Sequence, residues 1–177
     1  RASAHGVYKP NRSAPFPQRP DARTIYERMN DTHANARPAT VADTTCIVLA
    51  GGLGTRLRDT IGPVPKCMAP VCGRPFLDYL LRRLHRNGFR KIVLSLGYLH
   101  EQVETWVERE KPDFDFDFSV ERQPLGTGGA IALAMTRVRT PQALILNGDT
   151  FFDMNTDAFL ASHASAGTPM SIALKPM

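Results

Sequence analysis

Cysteine is sparse in this chain, three residues in 177, and the three form no pattern. Cys46 sits inside an apolar run, where a thiol behaves as a small hydrophobe. Cys67 and Cys72 have no second Cys or His pair at zinc-ligand spacing, so a zinc centre is not expected. The odd count is most simply read as reduced thiols in a reducing compartment. Long apolar runs are missing too: nothing approaches the roughly 18 residues that a membrane helix requires, and the N-terminus lacks the charged and apolar regions of a signal peptide. The expectation is a cytoplasmic protein with no membrane partner. Basic charge is in only modest excess, +5 overall, and it is unevenly placed. Residues 1–45 hold seven Lys/Arg against four Asp/Glu, whereas residues 46–177 hold fifteen against thirteen. The globular part therefore carries no nucleic-acid footprint.

What is present fits one ordinary soluble domain, with 42% hydrophobic and 8% aromatic residues. Residues 1–44 read as a basic, proline-rich linker or extended arm, since they contain five of the fourteen prolines and no sustained hydrophobic period. The chain opens on Arg1 rather than Met, so an upstream fused domain joined through this arm and an ordinary leader are both open readings. A regular pattern begins at Thr45. Strands are expected at 45–50, 91–96, 114–120 and 143–146, with one more at 170–174. Helices are expected from Arg74-Pro75 to Asn87-Gly88, over 99–110, over 130–138, and from a Thr156 cap to Ala164. Asp113, Asp115 and Asp117 alternate with phenylalanines as in a strand with one wet face. They do not make a calcium loop, because Phe118 stands where that loop needs glycine. Strands alternating with helices predict a three-layer, Rossmann-like α/β fold with a mostly parallel sheet and helices on both faces, cut short at its C-terminal end. Ligands in such sheets bind beyond the carboxyl ends of the strands, and loops 51–66, 121–129 and 147–153 all fall there.

The first of these loops holds the most chemistry. After Ile47-Val48-Leu49-Ala50 come Gly51-Gly52-Leu53-Gly54-Thr55-Arg56, and ten residues after the arginine stands Lys66. Glycines let main-chain N–H groups approach phosphate oxygens, and the two cations offset charge that amides alone cannot. No lysine in the chain is followed by Ser or Thr, which excludes a Walker loop. The dinucleotide fingerprint fails as well, because Leu57 occupies its third glycine position and no acid closes the second strand.

Leu49-Ala50-Gly51-Gly52-Leu53-Gly54-Thr55-Arg56-Leu57 with Pro65-Lys66 resembles the signature of the sugar-1-phosphate nucleotidylyltransferases. Pro124-Leu125-Gly126-Thr127-Gly128-Gly129-Ala130 and Asn147-Gly148-Asp149 are similar to later motifs of that family, in the same order. The likeness covers residues 45–177, the nucleotide-binding part of such a domain. Within the family, the Pro-Leu-Gly-Thr turn and Asn147–Asp153 look most like the guanylyltransferases of mannose 1-phosphate and D-glycero-D-manno-heptose 1-phosphate.

The resemblance implies an enzyme of nucleotide-sugar biosynthesis, in which an NTP, here GTP, and a sugar 1-phosphate give an NDP-sugar and pyrophosphate. It implies that amides of Gly52, Gly54 and Thr55 cradle the β- and γ-phosphates, with Arg56 on the leaving pyrophosphate and Lys66 at the α-phosphate. It further implies Mg²⁺ on Asp149, and base and ribose facing Gln123, Gly126, Gly128 and the backbone of Ala50-Gly51. Taken singly, Arg56 and Lys66 would read as solvated loop charges and Asp149 as a turn cap; their place in the motif favours the functional role. Glu121 is an alternative to Gln123. Two departures stand out: Cys67 replaces the proline that often follows the lysine, and the family's second metal-binding acid and Glu-Lys motif are absent from these residues. A non-catalytic nucleotide-binding regulatory module and a uridylyltransferase acting on an amino-sugar or muramate phosphate are the alternative functions. A homo-oligomer is compatible with the sequence.

Overall fold

The computed structural model describes residues 40–52, 62–110 and 112–174. The arm expected over 1–44 lies outside the described residues as far as position 39. The described part begins with a 3-10 turn, Val41–Asp43, whose Val41 is already buried in the core. In chain order the elements are β1 (Thr44–Leu49), the hairpin β2 (Pro70–Val71) and β3 (Arg74–Pro75), α1 (Phe76–Arg86), β4 (Lys91–Leu96), α2 (His100–Glu110), β5 (Asp115–Val120), α3 (Gly126–Met135), β6 (Gln142–Asn147) and α4 (Thr156–Ala166).

The four six-residue strands form one parallel sheet in the order β5-β4-β1-β6. β1 lies centrally because its residues are apolar on both sides, and Ile47 pairs with Val93 on one flank and Ile145 on the other. Alternation along the strands divides the core in two. Cys46, Val48, Ile92, Leu94, Leu96 and Leu144 face one way and pack with Leu77, Leu81, Leu84, Val103, Trp106 and Leu160 of α1, α2 and α4. Ile47 and Val93 face the other way and pack with Ala134 of α3. The chain moves outward from β1 to β4 to β5, which places α1 and α2 on one face under the right-handed crossover rule. It then reverses past β1 to reach β6, so α3 must cover the opposite face. The expected three-layer, Rossmann-like arrangement is what the structure has.

Local chemistry sets the element ends. α1 stops at a Schellman turn: Gly88 has φ +90°, its N–H donates to His85 O, and Phe89 N–H donates to Leu84 O, both at 3.0 Å. The cap of α4 is Asn155, one residue before the expected Thr156. Asn155 Oδ1 accepts from Ala158 N–H at 3.0 Å, while Thr156 is buried. α3 begins at Gly126, four residues ahead of the expected start, so the glycine turn is itself the first turn of the helix. The strand expected at 170–174 does not form. Those residues have no ladder partner among the described residues, and Met170, Ile172 and Leu174 are 68%, 69% and 83% exposed.

Candidate active site

The strand order reverses at β1, and the loops leaving the carboxyl ends of β1, β4, β5 and β6 meet there. They meet closely. Ala50 N–H donates to Ser95 O at 2.8 Å, Glu121 N–H to Leu96 O at 2.8 Å and Gly148 N–H to Leu49 O at 2.7 Å. A Cβ on Gly97 would lie 2.8 Å from Gly51 O, and one on Gly148 would lie 2.8 Å from Leu49 O. No real Cβ tolerates such contacts with backbone, so glycine at these two positions lets the strand ends close up. Gly51 and Gly52 follow directly; Gly52 is exposed, and among the described residues nothing lies within 4 Å of a Cβ placed on it. Gly54, Thr55 and Arg56, named above for the phosphate cradle, lie outside the described residues.

Lys66 opens a 3-10 turn, Lys66–Met68, closed by Met68 N–H to Pro65 O at 2.8 Å and Ala69 N–H to Lys66 O at 3.1 Å. Cys67 anchors this turn in the core, and Phe76 N–H ties Ala69 to the start of α1 at 3.0 Å. The proline that often follows the family lysine is thus replaced by a buried thiol that fixes the turn by packing. Burial pushes the Cys67 thiol up to about 12.

From this turn Lys66 Nζ reaches Asp149 Oδ2 at 2.6 Å, and Asp149 Oδ1 accepts from Thr150 Oγ1 at 3.0 Å. The hydrogen bond from Lys66, aided by that from Thr150, holds the Asp149 carboxyl below the usual carboxylate range against a smaller opposing effect of burial. The structure therefore brings together two residues that the sequence assigned to phosphate and to metal. Among the described residues, no cluster of three or more His, Cys, Asp and Glu could hold a metal ion.

The loop after β5 places Glu121 rather than Gln123 against the glycines. Glu121 Oε2 accepts from Leu125 N–H at 2.9 Å, and its Oε1 would be 3.1 Å from a Cβ on Gly51. Gln123 is exposed at the rim. Gly126 and Gly128 are exposed in the first turn of α3, and among the described residues a Cβ on either would meet nothing within 4 Å. Gly126 has φ +67°, which favours glycine on conformational grounds. Among the described residues α3 has no side-chain cap, and its first turn holds no acid, which favours an anion at its first N–H groups. Tyr98 is 40% exposed. His100 is occupied within α2, its Nδ1 lying 3.1 Å from Glu104 Oε1.

One feature near the site had no signal in the sequence. Arg83 of α1 pairs with Asp153 on the loop after β6, and its Cζ lies 4.8 Å from the centroid of the Phe151 ring. The two partners are 70 positions apart, with no spacing pattern to join them.

Residues 45–177 match the profile of the Nucleotidyl transferase family, and the chain belongs to that family. It is 40% identical over 131 residues to the D-glycero-alpha-D-manno-heptose 1-phosphate guanylyltransferase of Aneurinibacillus thermoaerophilus, covering 74% of this chain and 57% of that one. It is also 40% identical over 109 residues to the enzyme of the same name from Campylobacter jejuni, covering 62% and 49%. In three dimensions it is similar to HddC from Yersinia pseudotuberculosis, crystallised as a complex with GMP-PN. The TM-score is 0.62 at 38% identity, over 67% of this chain and 53% of that chain. The chain thus spans about half the length of these relatives. Among the described residues, no helix is long and apolar enough to cross a membrane.

Proposed function

We propose that this chain carries the nucleotide-binding part of an Mg²⁺-dependent guanylyltransferase, which joins the GMP moiety of GTP to a sugar 1-phosphate and releases pyrophosphate. D-glycero-D-manno-heptose 1-phosphate is the favoured acceptor, since relatives of that name share 40% of their aligned residues with this chain. The observation that carries the reading is the meeting of Lys66 and Asp149 at 2.6 Å beside the glycine loop at the sheet's switch point.

In this reaction an acceptor phosphate oxygen forms a bond to the α-phosphorus as the bond to the pyrophosphate oxygen breaks on the opposite side. With no covalent enzyme intermediate, the protein contributes position and charge. Lys66 faces the α-phosphate and the acceptor phosphate, where two anions must approach each other. Amides at Gly52, Gly54 and Thr55 receive the β- and γ-phosphates, and Arg56 receives the departing pyrophosphate. Asp149 suits Mg²⁺: it is an ionised, partly exposed oxygen donor, and a single carboxylate leaves the other positions to phosphate oxygens and water, as this ion prefers. Bound there, the ion supplies positive charge that offsets the triphosphate. The base lies over Ala50-Gly51, Gly126 and Gly128 with Gln123 at its rim. Guanine presents adjacent N1–H and N2–H donors, which the acceptor-only carboxylate of Glu121 complements.

Pyrophosphate release by the intact protein, screened over four NTPs and several sugar 1-phosphates, tests the proposal. The expected result is fastest release with GTP and the heptose phosphate, and losses of roughly 10²–10³-fold in Lys66→Ala and in Asp149→Ala. Preference for UTP with an amino-sugar phosphate would replace guanylyl by uridylyl transfer. Nucleotide binding without release under any pairing would point to a regulatory module.

A further inference from the structure

We propose that Arg83 is a positioning residue for Asp149, holding the loop that carries the carboxylate from the back of the site. The proposal rests on the functional reading above for what Asp149 does, and on geometry alone for how it is held. Residues 151–154 make no main-chain hydrogen bond among the described residues, so side chains must fix this stretch. Met154 packs against the core at one end. At the other, the Arg83 guanidinium does two things at once: it donates to Asp153 Oδ1 and lies over the Phe151 ring, Cζ to centroid 4.8 Å. A planar cation can stack on a ring while its edge donates to a carboxylate, which an ammonium cannot reproduce.

The placement on α1 gives this grip its meaning. The first turns of α1 also hold the Lys66 side, through Phe76 N–H to Ala69 O at 3.0 Å and Tyr79 Oη to Val71 O at 3.0 Å. Arg83 is 26% exposed and lies two turns further along the same helix. One rigid helix therefore references both members of the Lys66–Asp149 pair, and Arg83 is its connection to the Asp149 loop. Phe151 is half exposed, and this aromatic surface at the loop is explained by the stacked cation.

The test compares Arg83→Met, Arg83→Lys, Asp153→Asn and the reversed pair Arg83→Glu with Asp153→Arg, in the intact protein. Backbone 15N relaxation is read across residues 149–154, and kcat and KM for GTP are measured separately. In Arg83→Met and Asp153→Asn, the order parameters of 149–154 are expected to fall from about 0.85 toward 0.6, with α1 and β4 unchanged. The expected kinetic effect is a fall in kcat of about fivefold to tenfold at nearly constant KM. Arg83→Lys should be intermediate, and the reversed pair should recover part of the loss. Asp153 is exposed, so Asp153→Asn reports on the contact even if an Arg83 variant folds poorly. Unchanged order parameters in the loop, or a fall spread through the whole domain, would overturn the proposal. The relaxation result stands without turnover, so failure of the unsubstituted protein to release pyrophosphate would count against the functional reading and not against this one.

Discussion

Lys66 Nζ and Asp149 Oδ2 lie 2.6 Å apart although the two residues are separated by 83 positions in sequence. Each charge satisfies the other until an anion or a cation competes for it. Ligand entry then exchanges one set of ionic contacts for another and does not uncover a bare charge. Both side chains are partly exposed, which keeps the exchange inexpensive.

The pair should leave a pH signature in stability. The Asp149 carboxyl is depressed in the folded protein, so its contribution is fully present above the ordinary carboxylate pKa of about 3.9 and is lost as pH falls through the lower folded value. For an exposed pair that contribution is at most about 1 kcal/mol. Urea unfolding of wild type and Lys66→Met should differ by this amount at pH 7 and converge as pH falls through the depressed Asp149 value. A difference that persists at low pH would show that the lysine acts through packing.

Glu121→Gln is expected to raise KM for GTP roughly tenfold while keeping the contact to Leu125 N–H, since an amide oxygen can still accept it. The margin between GTP and ITP, which lacks the N2 amino group, should narrow. An unchanged margin would remove Glu121 from base recognition.

Gly97→Ala places a methyl 2.8 Å from Gly51 O, a backbone atom that cannot swing aside. Separation of β1 from β4 at their carboxyl ends should cost about 1–3 kcal/mol and weaken nucleotide binding beyond the loss of stability. Denaturant titration and nucleotide titration on the same variant distinguish the two effects.

Thiol labelling should be selective. Cys46 and Cys67 are buried, with pKa values pushed up by burial, whereas Cys72 is exposed in the β2–β3 turn. At pH 8, intact-mass analysis with iodoacetamide should show one label on the native protein and three in urea. Labelling of Cys67 in the native state would show that the Lys66 turn opens.

The sequence made the sheet legible where side-chain burial decides the structure. Ile47-Val48-Leu49 and Ile92-Val93-Leu94 are apolar on both faces, and only a buried parallel strand suits such runs. It misled where pairing or capping decides. The apolar alternation of 170–174 resembles a strand, but a strand exists only against a neighbour. Four glycine-rich residues concealed the first turn of α3, because glycine's poor helix propensity is overridden once the helix is packed on the sheet. The glycine loop and Asp149 were legible as separate motifs. Their meeting, and the hold of Arg83 on Asp153, depend on separations that local patterns do not encode.

Among the described strands β1 is central and is made first, yet its partner β6 comes late: Gln142 Nε2 donates to Thr44 Oγ1 at 2.8 Å across 98 positions of chain. During synthesis one edge of the most hydrophobic strand stays open until β5, α3 and β6 have left the ribosome. Contacts of such long range are slow to form, and the waiting edge is what a misfolding partner or a chaperone would meet first. The order that places Gly51 and Gly52 at the centre of the sheet thus also makes this domain dependent on completing nearly its whole described length before the candidate site can assemble.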